Sequence, residues 1–233
     1  MRPLERLARL TGTLLIVLGV GLLAWTFCVW RWNDPFTSTY TRWQQHKLAD
    51  VNQQIFAEFR PTVTRARTPT PAQQSRAMAR DAAYFRKGVA IGDPIGRLRV
   101  PRLGVNLLLI NGTDTASLKS GPGRDTRTFM PGQGELVYIA GHRTTYGAPF
   151  AHIERLRAGD RVTLEMPYAT IEYAVARERI VDDQDLSVLK SAAREEVALQ
   201  ACHPRFWATE RYIVWAKPVR ATRGDGASFA PVT

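Results

Sequence analysis

The 233-residue chain is 45% hydrophobic and 23% charged, the proportions of an ordinary globular protein, which excludes wholesale disorder. Its 32 Lys and Arg outweigh 21 Asp and Glu, for a net charge of +11, which raises nucleic acid or an anionic cell surface as partners. Two cysteines and four histidines exclude a disulfide framework and a Cys-rich zinc module.

No charged residue interrupts residues 10–30. As a helix this run rises roughly 30 Å, the thickness of a hydrocarbon core. Trp25, Trp30 and Trp32 crowd its C-terminal end, where interfacial aromatics sit. A cleaved signal peptide has a shorter apolar core and small residues at the cut, whereas this run ends on bulky Trp25, Phe27 and Trp30. The reading is an uncleaved, single-pass anchor over 10–30, preceded by residues 1–9. Arg2, Arg6 and Arg9 flank one side and Arg31, Arg42 and Lys47 the other, so charge does not orient it.

Residues 39–59 read as a helix, with Tyr40, Trp43, Leu48, Val51, Ile55 and Phe59 recurring at steps of three to five. Pro61 ends it. The following stretch, to about Lys87, is rich in Pro, Thr, Arg and Gln. With Arg60 it carries Arg65, Arg67, Arg76, Arg80, Arg86 and Lys87 against Asp81, more than half of the net charge. This reads as a basic tether facing an anionic surface, so nucleic acid is not expected as a partner. The organisation expected is 1–9 N-terminus, 10–30 anchor, 31–89 membrane-proximal helix and linker, 90–220 catalytic domain, and 221–233 flexible tail.

From about Ala90 the texture changes to short alternating runs punctuated by Gly, Pro and Asp. Candidate strands are 96–100, 105–110, 135–140, 161–165, 170–180, 196–201 and 211–217, with helical turns at 149–157 and 186–191. This spacing predicts a mostly β domain, a closed barrel or a sandwich.

Cys28 lies in the anchor and cannot pair with Cys202, which is left a lone thiol. The plain alternative is a buried, inert cysteine. Against that, Cys202 closes a candidate strand and meets the turn His203-Pro204-Arg205-Phe206, a rim position. A thiol nucleophile needs a proton carrier and a group that holds the oxyanion. His142 follows the strand at 135–140, and Arg211 opens the strand after the Cys202 loop. If those two flanking strands pair antiparallel, Cys202 and the permanently charged Arg211 share one rim. His203 neighbours Cys202 and so points to the opposite face; it and His152 read as structural, and His46 belongs to the membrane-proximal helix. No metal is expected at Cys202/His203, which lacks a second ligand pair, and Asp182, Asp183 and Asp185 read as a solvated turn.

Residues 131–150, Pro-Gly-Gln-Gly-Glu-Leu-Val-Tyr-Ile-Ala-Gly-His-Arg-Thr-Thr-Tyr-Gly-Ala-Pro-Phe, resemble the histidine segment of sortases, most of all the class E sortases of high-GC Gram-positive bacteria. Leu199-Gln200-Ala201-Cys202-His203-Pro204-Arg205-Phe206 and the strand from Arg211 resemble their cysteine and arginine strands. The likeness covers about residues 91–218. There are two departures. Ala198 and Ala201 stand where the family usually has threonines, and Arg124-Asp125 where relatives tend to carry His-Tyr.

The resemblance implies an eight-stranded, sortase-like closed β-barrel with short helices, carried on a transmembrane helix. It implies a cysteine transpeptidase without cofactor. Cys202 would attack the Thr–Gly carbonyl of a Leu-Ala-x-Thr-Gly-like signal on a secreted protein; His142 would carry the proton and Arg211 would hold the oxyanion. The acceptor would be an amine of a peptidoglycan precursor or a pilin. Tyr146, Arg143, Thr144 and Ala201 are the expected substrate-binding residues. The substrate and acceptor put the catalytic domain outside the cell membrane and residues 1–9 in the cytoplasm. A hydrolytic cysteine peptidase and a decayed binding module are the alternatives, the second kept alive by Ala198 and Ala201.

Overall fold

The computed structural model describes residues 3–32, 35–62, 69–224 and 226–231. Arg2, Arg65 and Arg67, named above among the flanking and linker charges, lie outside the described residues. The apolar run forms helix α1 (Pro3–Trp32), whose Leu10, Leu14, Leu15, Ile16 and Leu23 are all more than half exposed. Among the described residues it holds the one segment, Arg6–Cys28, long and apolar enough to cross a membrane: 23 residues, or ~35 Å.

Helix α2 (Pro35–Glu58) begins four residues before the expected start. The apolar stripe predicted for it is not its main docking face: Tyr40, Trp43 and Val51 remain exposed, while Ile55 and, just beyond the helix, Phe59 reach the core. Its middle is held by polar side chains instead. Gln45 Nε2 donates to the carbonyls of Leu108 (3.2 Å) and Ser120 (2.8 Å), and its Oε1 accepts from Leu108 N (2.7 Å). Thr41 Oγ1 donates to Lys119 O at 2.8 Å. These bonds satisfy backbone groups that flanking strands leave open.

The stretch read as linker contains helix α3 (Pro71–Gly88), which corrects that reading. Thr70 and Gln73 form a reciprocal capping box, and Pro71 sits in the first turn, where its missing N–H has no cost. Gln74, Ala77, Met78, Asp81, Ala82 and Phe85 fall on one face and are buried. Arg76, Arg80 and Lys87 are exposed, so that part of the charge lies on a folded face. Asp81 and Arg223 form a buried ion pair (3.1 Å, side chains 4% and 2% exposed), and both also bond Thr62.

The catalytic-domain region is a barrel. Strands β1 (Pro94–Val100), β2 (Val105–Asn111), β3 (Gly123–Arg124), β4 (Leu136–Ala140), β5 (Arg161–Met166), β6 (Ala169–Asp182), β7 (Glu196–His203) and β8 (Glu210–Arg223) join in the order β6-β5-β1-β2-β3-β4-β7-β8. The β8–β6 ladder closes the ring, and two-residue β9 (Ser228–Phe229) adds to β8. All pairs are antiparallel except β2–β3 and β4–β7. Helix α4 (Thr115–Ser120), capped by Asp114, and the short β3 carry too little periodicity to be read from sequence.

Side-chain alternation divides the wall into two faces. Val137, Ile139, Val197, Leu199, Ala201, Tyr212 and Val214 point into the main core. Leu136, Tyr138, Ala198, Ile213 and Trp215 point outward, and Val188 and Leu189 of the short turn Leu186–Leu189 cover them as a second apolar cluster.

Candidate active site

The parity of three strands sets the site. On β7, Ala198 faces outward, so Gln200 and Cys202 follow on the same face. On β4, Tyr138 faces outward, and His142 lies four residues on. On β8, Ile213 and Trp215 face outward, and Arg211 precedes them in phase. Register completes the arrangement. Cys202 is the direct partner of Arg211, and the parallel β4–β7 ladder runs through Ala140↔Gln200 and onward by Gly141 N→Gln200 O at 3.0 Å.

Cys202, His142 and Arg211 therefore line one cleft of about 280 Å³, together with Gln200, Asp125, Arg127, Asp183 and Leu186. A larger groove, about 580 Å³, lies between α2 and the β1–β2 hairpin and holds none of the three. The chemistry argues for the smaller one, because it alone combines a thiol, an imidazole and a guanidinium.

Each group has a distinct environment. Arg211 Nη1 donates to the carbonyls of Ala208 (2.8 Å) and Glu210 (2.9 Å), and Nη2 lies 3.6 Å from Asp183 Oδ2. Its guanidinium is thus held by backbone acceptors in the cleft that it lines together with Cys202. Burial, with a smaller push from Lys119, lowers the His142 pKa below its ordinary 6.5. His142 Nε2 is buried with no hydrogen-bond partner among the described residues. A buried polar atom left unpaired is costly in a resting fold and is found where a reacting group is to be met.

The histidine loop is held from several sides. Phe150 N donates to His142 O at 3.1 Å, and a Cβ on Gly141 would sit 2.6 Å from the Phe150 ring, so that position requires glycine. Tyr146 (φ 52°) and Ala148 (φ 42°) adopt left-handed backbone. The Tyr146 ring packs on His142 with centroids 5.1 Å apart; its N–H donates to Thr37 Oγ1 at 2.7 Å, and Tyr40 of α2 meets it edge-on at 6.3 Å.

The four expected substrate-binding residues fare differently. Tyr146 touches His142. Thr144 is half-buried and does not line the cleft. Ala201 is fully buried in the core, one residue out of phase with Cys202, so its side chain faces away from the cleft. Arg143 is also out of phase, with its side chain 6% exposed. Its Nη1 donates to Cys202 O (3.0 Å) and His203 Nδ1 (2.8 Å), and its Nη2 to Glu154 Oε2 (2.8 Å). Burial pushes the Glu154 carboxyl up, but its own backbone N–H and the Arg143 guanidinium outweigh that and hold it below the usual range.

Of the two departures, Arg124 is buried and engages Asn111 Oδ1 and Thr128 O, whereas Asp125 and its partner Arg127 (2.7 Å) line the cleft. The resemblance implies that the Arg124-Asp125 segment borders the site, and Asp125 does line the cleft; Arg127 is missing from the sequence-based reading, and the closing of β3 onto β4 brings both there.

Comparison with known proteins agrees with this geometry. The sortase domain family model matches residues 98–219, a span that contains His142, Cys202 and Arg211. Sortase D of Bacillus subtilis (strain 168) is 28% identical over 180 residues, covering 74% of this chain and 88% of that protein. The structure of sortase E1 from Streptomyces coelicolor with a tripeptide in the active site superposes with a TM-score of 0.54 at 26% identity, covering 57% of this chain and 93% of that one. Clostridium perfringens sortase C with its C-terminal cell wall sorting motif shares the fold, with a TM-score of 0.58 at 20% identity over 74% and 97% of the two chains. With a closed eight-stranded barrel, a thiol at the rim of its wall and a matched domain spanning that rim, this chain belongs to the sortase family of cysteine transpeptidases.

Proposed function

We propose that this protein is a membrane-anchored sortase that joins a secreted protein to a cell-surface amine through a Cys202 thioester. The observation that carries the reading is the cross-strand pairing of Cys202 with Arg211 in the cleft that also holds His142. Cys202 Sγ attacks the carbonyl of the Thr–Gly bond in a Leu-Ala-x-Thr-Gly-like signal. The guanidinium of Arg211 stabilises the tetrahedral oxyanion, and His142 takes the Cys202 thiol proton and delivers it to the departing glycine amine as the C–N bond breaks to leave the thioester. An incoming amine, from a peptidoglycan precursor or a pilin, then attacks the thioester and gives its proton to His142. The unpaired Nε2 of His142 supports its assignment as the proton carrier.

The outward leucines of α1 support residues 10–30 as the anchor, with residues 1–9 cytoplasmic and the barrel outside, where signal and acceptor are found. The peptide-bound sortase structures support a sorting-signal substrate for this relative.

The test uses the full chain in detergent with Leu-Ala-x-Thr-Gly and Leu-Pro-x-Thr-Gly peptides and a diamino acceptor, followed by intact mass. A thioacyl adduct on the wild type and none on Cys202→Ala, resolved by the acceptor into a ligated product, is expected. Absence of the adduct from folded protein whose Cys202 still reacts with iodoacetamide would sink the assignment. Hydrolysis alone, with no ligation to any diamine offered, would replace transfer by peptide cleavage.

A further inference from the structure

Strand parity puts Cys202 on the cleft side of the wall and sends His203 to the opposite side; in the loop after β4, His142 lines the same cleft and Arg143 reaches round to the side of His203. There the two meet. Arg143 Nη1 carries two hydrogens; one goes to Cys202 O at 3.0 Å and the other to His203 Nδ1 at 2.8 Å. Nη2 is held by Glu154 Oε2 at 2.8 Å, on the short turn Ile153–Arg155. Tyr212, the β8 neighbour of Arg211, supports both partners: His203 lies 5.8 Å from its ring and the Arg143 guanidinium 5.8 Å from the same ring.

Two features set this apart from an ordinary buried ion pair. Arginine only donates, so His203 Nδ1 must be the bare acceptor nitrogen and its proton sits on Nε2. Meanwhile Arg143 Nε is buried with no hydrogen-bond partner among the described residues. The side chain is oriented so that both Nη1 hydrogens reach the end of the cysteine strand, at the expense of its own full satisfaction.

We propose that Arg143 is a positioning residue that ties the backbone of the cysteine strand to the histidine loop, setting how Cys202 and His142 face one another. It rests on the proposed roles of those two residues. Arg143 makes no contact with substrate; both terminal nitrogens of its guanidinium are engaged behind the cleft wall. Lysine cannot replace it, because a single ammonium on a flexible stem does not reproduce the fork that grips Cys202 O, His203 and Glu154 together.

The test compares full-length wild type, Arg143→Lys, Arg143→Ala and, as a control on the same segment, exposed Arg155→Lys, all with Cys28→Ser so that Cys202 is the only thiol. Turnover of the sorting peptide and the second-order rate of Cys202 alkylation by iodoacetamide are measured. Expected are a kcat at least tenfold lower in both Arg143 variants with KM within twofold, and an alkylation rate changed at least threefold. Guanidinium chloride at tens of millimolar is expected to restore kcat at least fivefold in Arg143→Ala and to leave wild type unimproved. A KM raised tenfold at constant kcat would make Arg143 a substrate contact and overturn the proposal. So would kcat and alkylation both within twofold of wild type, or no recovery with guanidinium. If wild type turns over no peptide, it is the proposed function that fails, and alkylation alone then decides the role of Arg143. If neither Arg143 variant folds, Glu154→Gln is read instead, with a two- to fivefold kcat loss expected and an unchanged kcat overturning the proposal.

Discussion

Cys202 and Arg211 sit directly opposite one another on the antiparallel β7–β8 ladder, nine residues apart in sequence but joined by a loop that turns back at the barrel rim. The carbonyls of Ala208 and Glu210 hold the guanidinium in place before any substrate arrives. In the oxyanion-stabilising role proposed for Arg211, a charge held in this way needs no reorganisation to act.

Arg211→Ala is accordingly expected to lower kcat by about 10²–10³-fold, or ~2.7–4 kcal/mol, as for loss of one oxyanion donor. Asp183→Asn removes only a partly exposed, 3.6 Å ion pair and should cost less than ~1 kcal/mol. Steady-state kinetics on both variants check this; equal losses would show that Asp183, not the backbone, places Arg211.

The His142 imidazole, buried and near Lys119, has a pKa below the ordinary 6.5. The unfolded chain therefore binds a proton there at a pH where the folded chain does not. Stability from this group is complete above about 6.5 and is lost as pH falls through the folded value. Wild type should lose more melting temperature than His142→Gln on acidification below that pH. NMR titration of Lys119→Ala should show a higher His142 pKa than wild type. Parallel melting curves or an unmoved titration would contradict the burial described.

Asp81 and Arg223 pin α3 to β8 in a buried ion pair. Asp81→Ala removes the buried countercharge of Arg223 and should destabilise by ~3–5 kcal/mol in urea denaturation. The same packing means that a fragment starting at residue 90 exposes the core under Met78, Ala82 and Phe85 and should aggregate, whereas one starting at residue 35 should stay folded and soluble.

Full-length protein should sediment with membranes and resist carbonate extraction, and removal of residues 1–34 should release it. Protease added outside cells should degrade the barrel if the proposed orientation holds. Protection in intact cells with loss after lysis would invert it.

Seven strands of the barrel wall, β1 to β8 without β3, were legible in sequence to within a few residues at most of their ends: β5 and β6 alternate because one face is buried, whereas β4 and β7 are apolar runs buried on both faces and bounded by turn residues. The beginning of β1 and the ends of β7 and β8 extend past that pattern, since backbone pairing does not require apolar side chains. Helix α3 escaped because its stripe is built from Ala77, Met78, Ala82 and Phe85 among three arginines and a lysine, so composition concealed a periodicity that the Thr70–Gln73 capping box marks.

Cys202, His142 and Arg211 could be named from the linear chain, since each stands at the end of a recognisable strand and two lie in recognisable segments. Their sharing of one face depends on register, and register depends on the closing of β8 onto β6 and the parallel docking of β7 beside β4. That is why Ala201 looked like a cleft residue and does not line the cleft: it lies one residue from Cys202, and on a pleated strand one residue is the opposite side of the wall; Arg143, in the loop after β4, is instead drawn away by Cys202 O, His203 and Glu154.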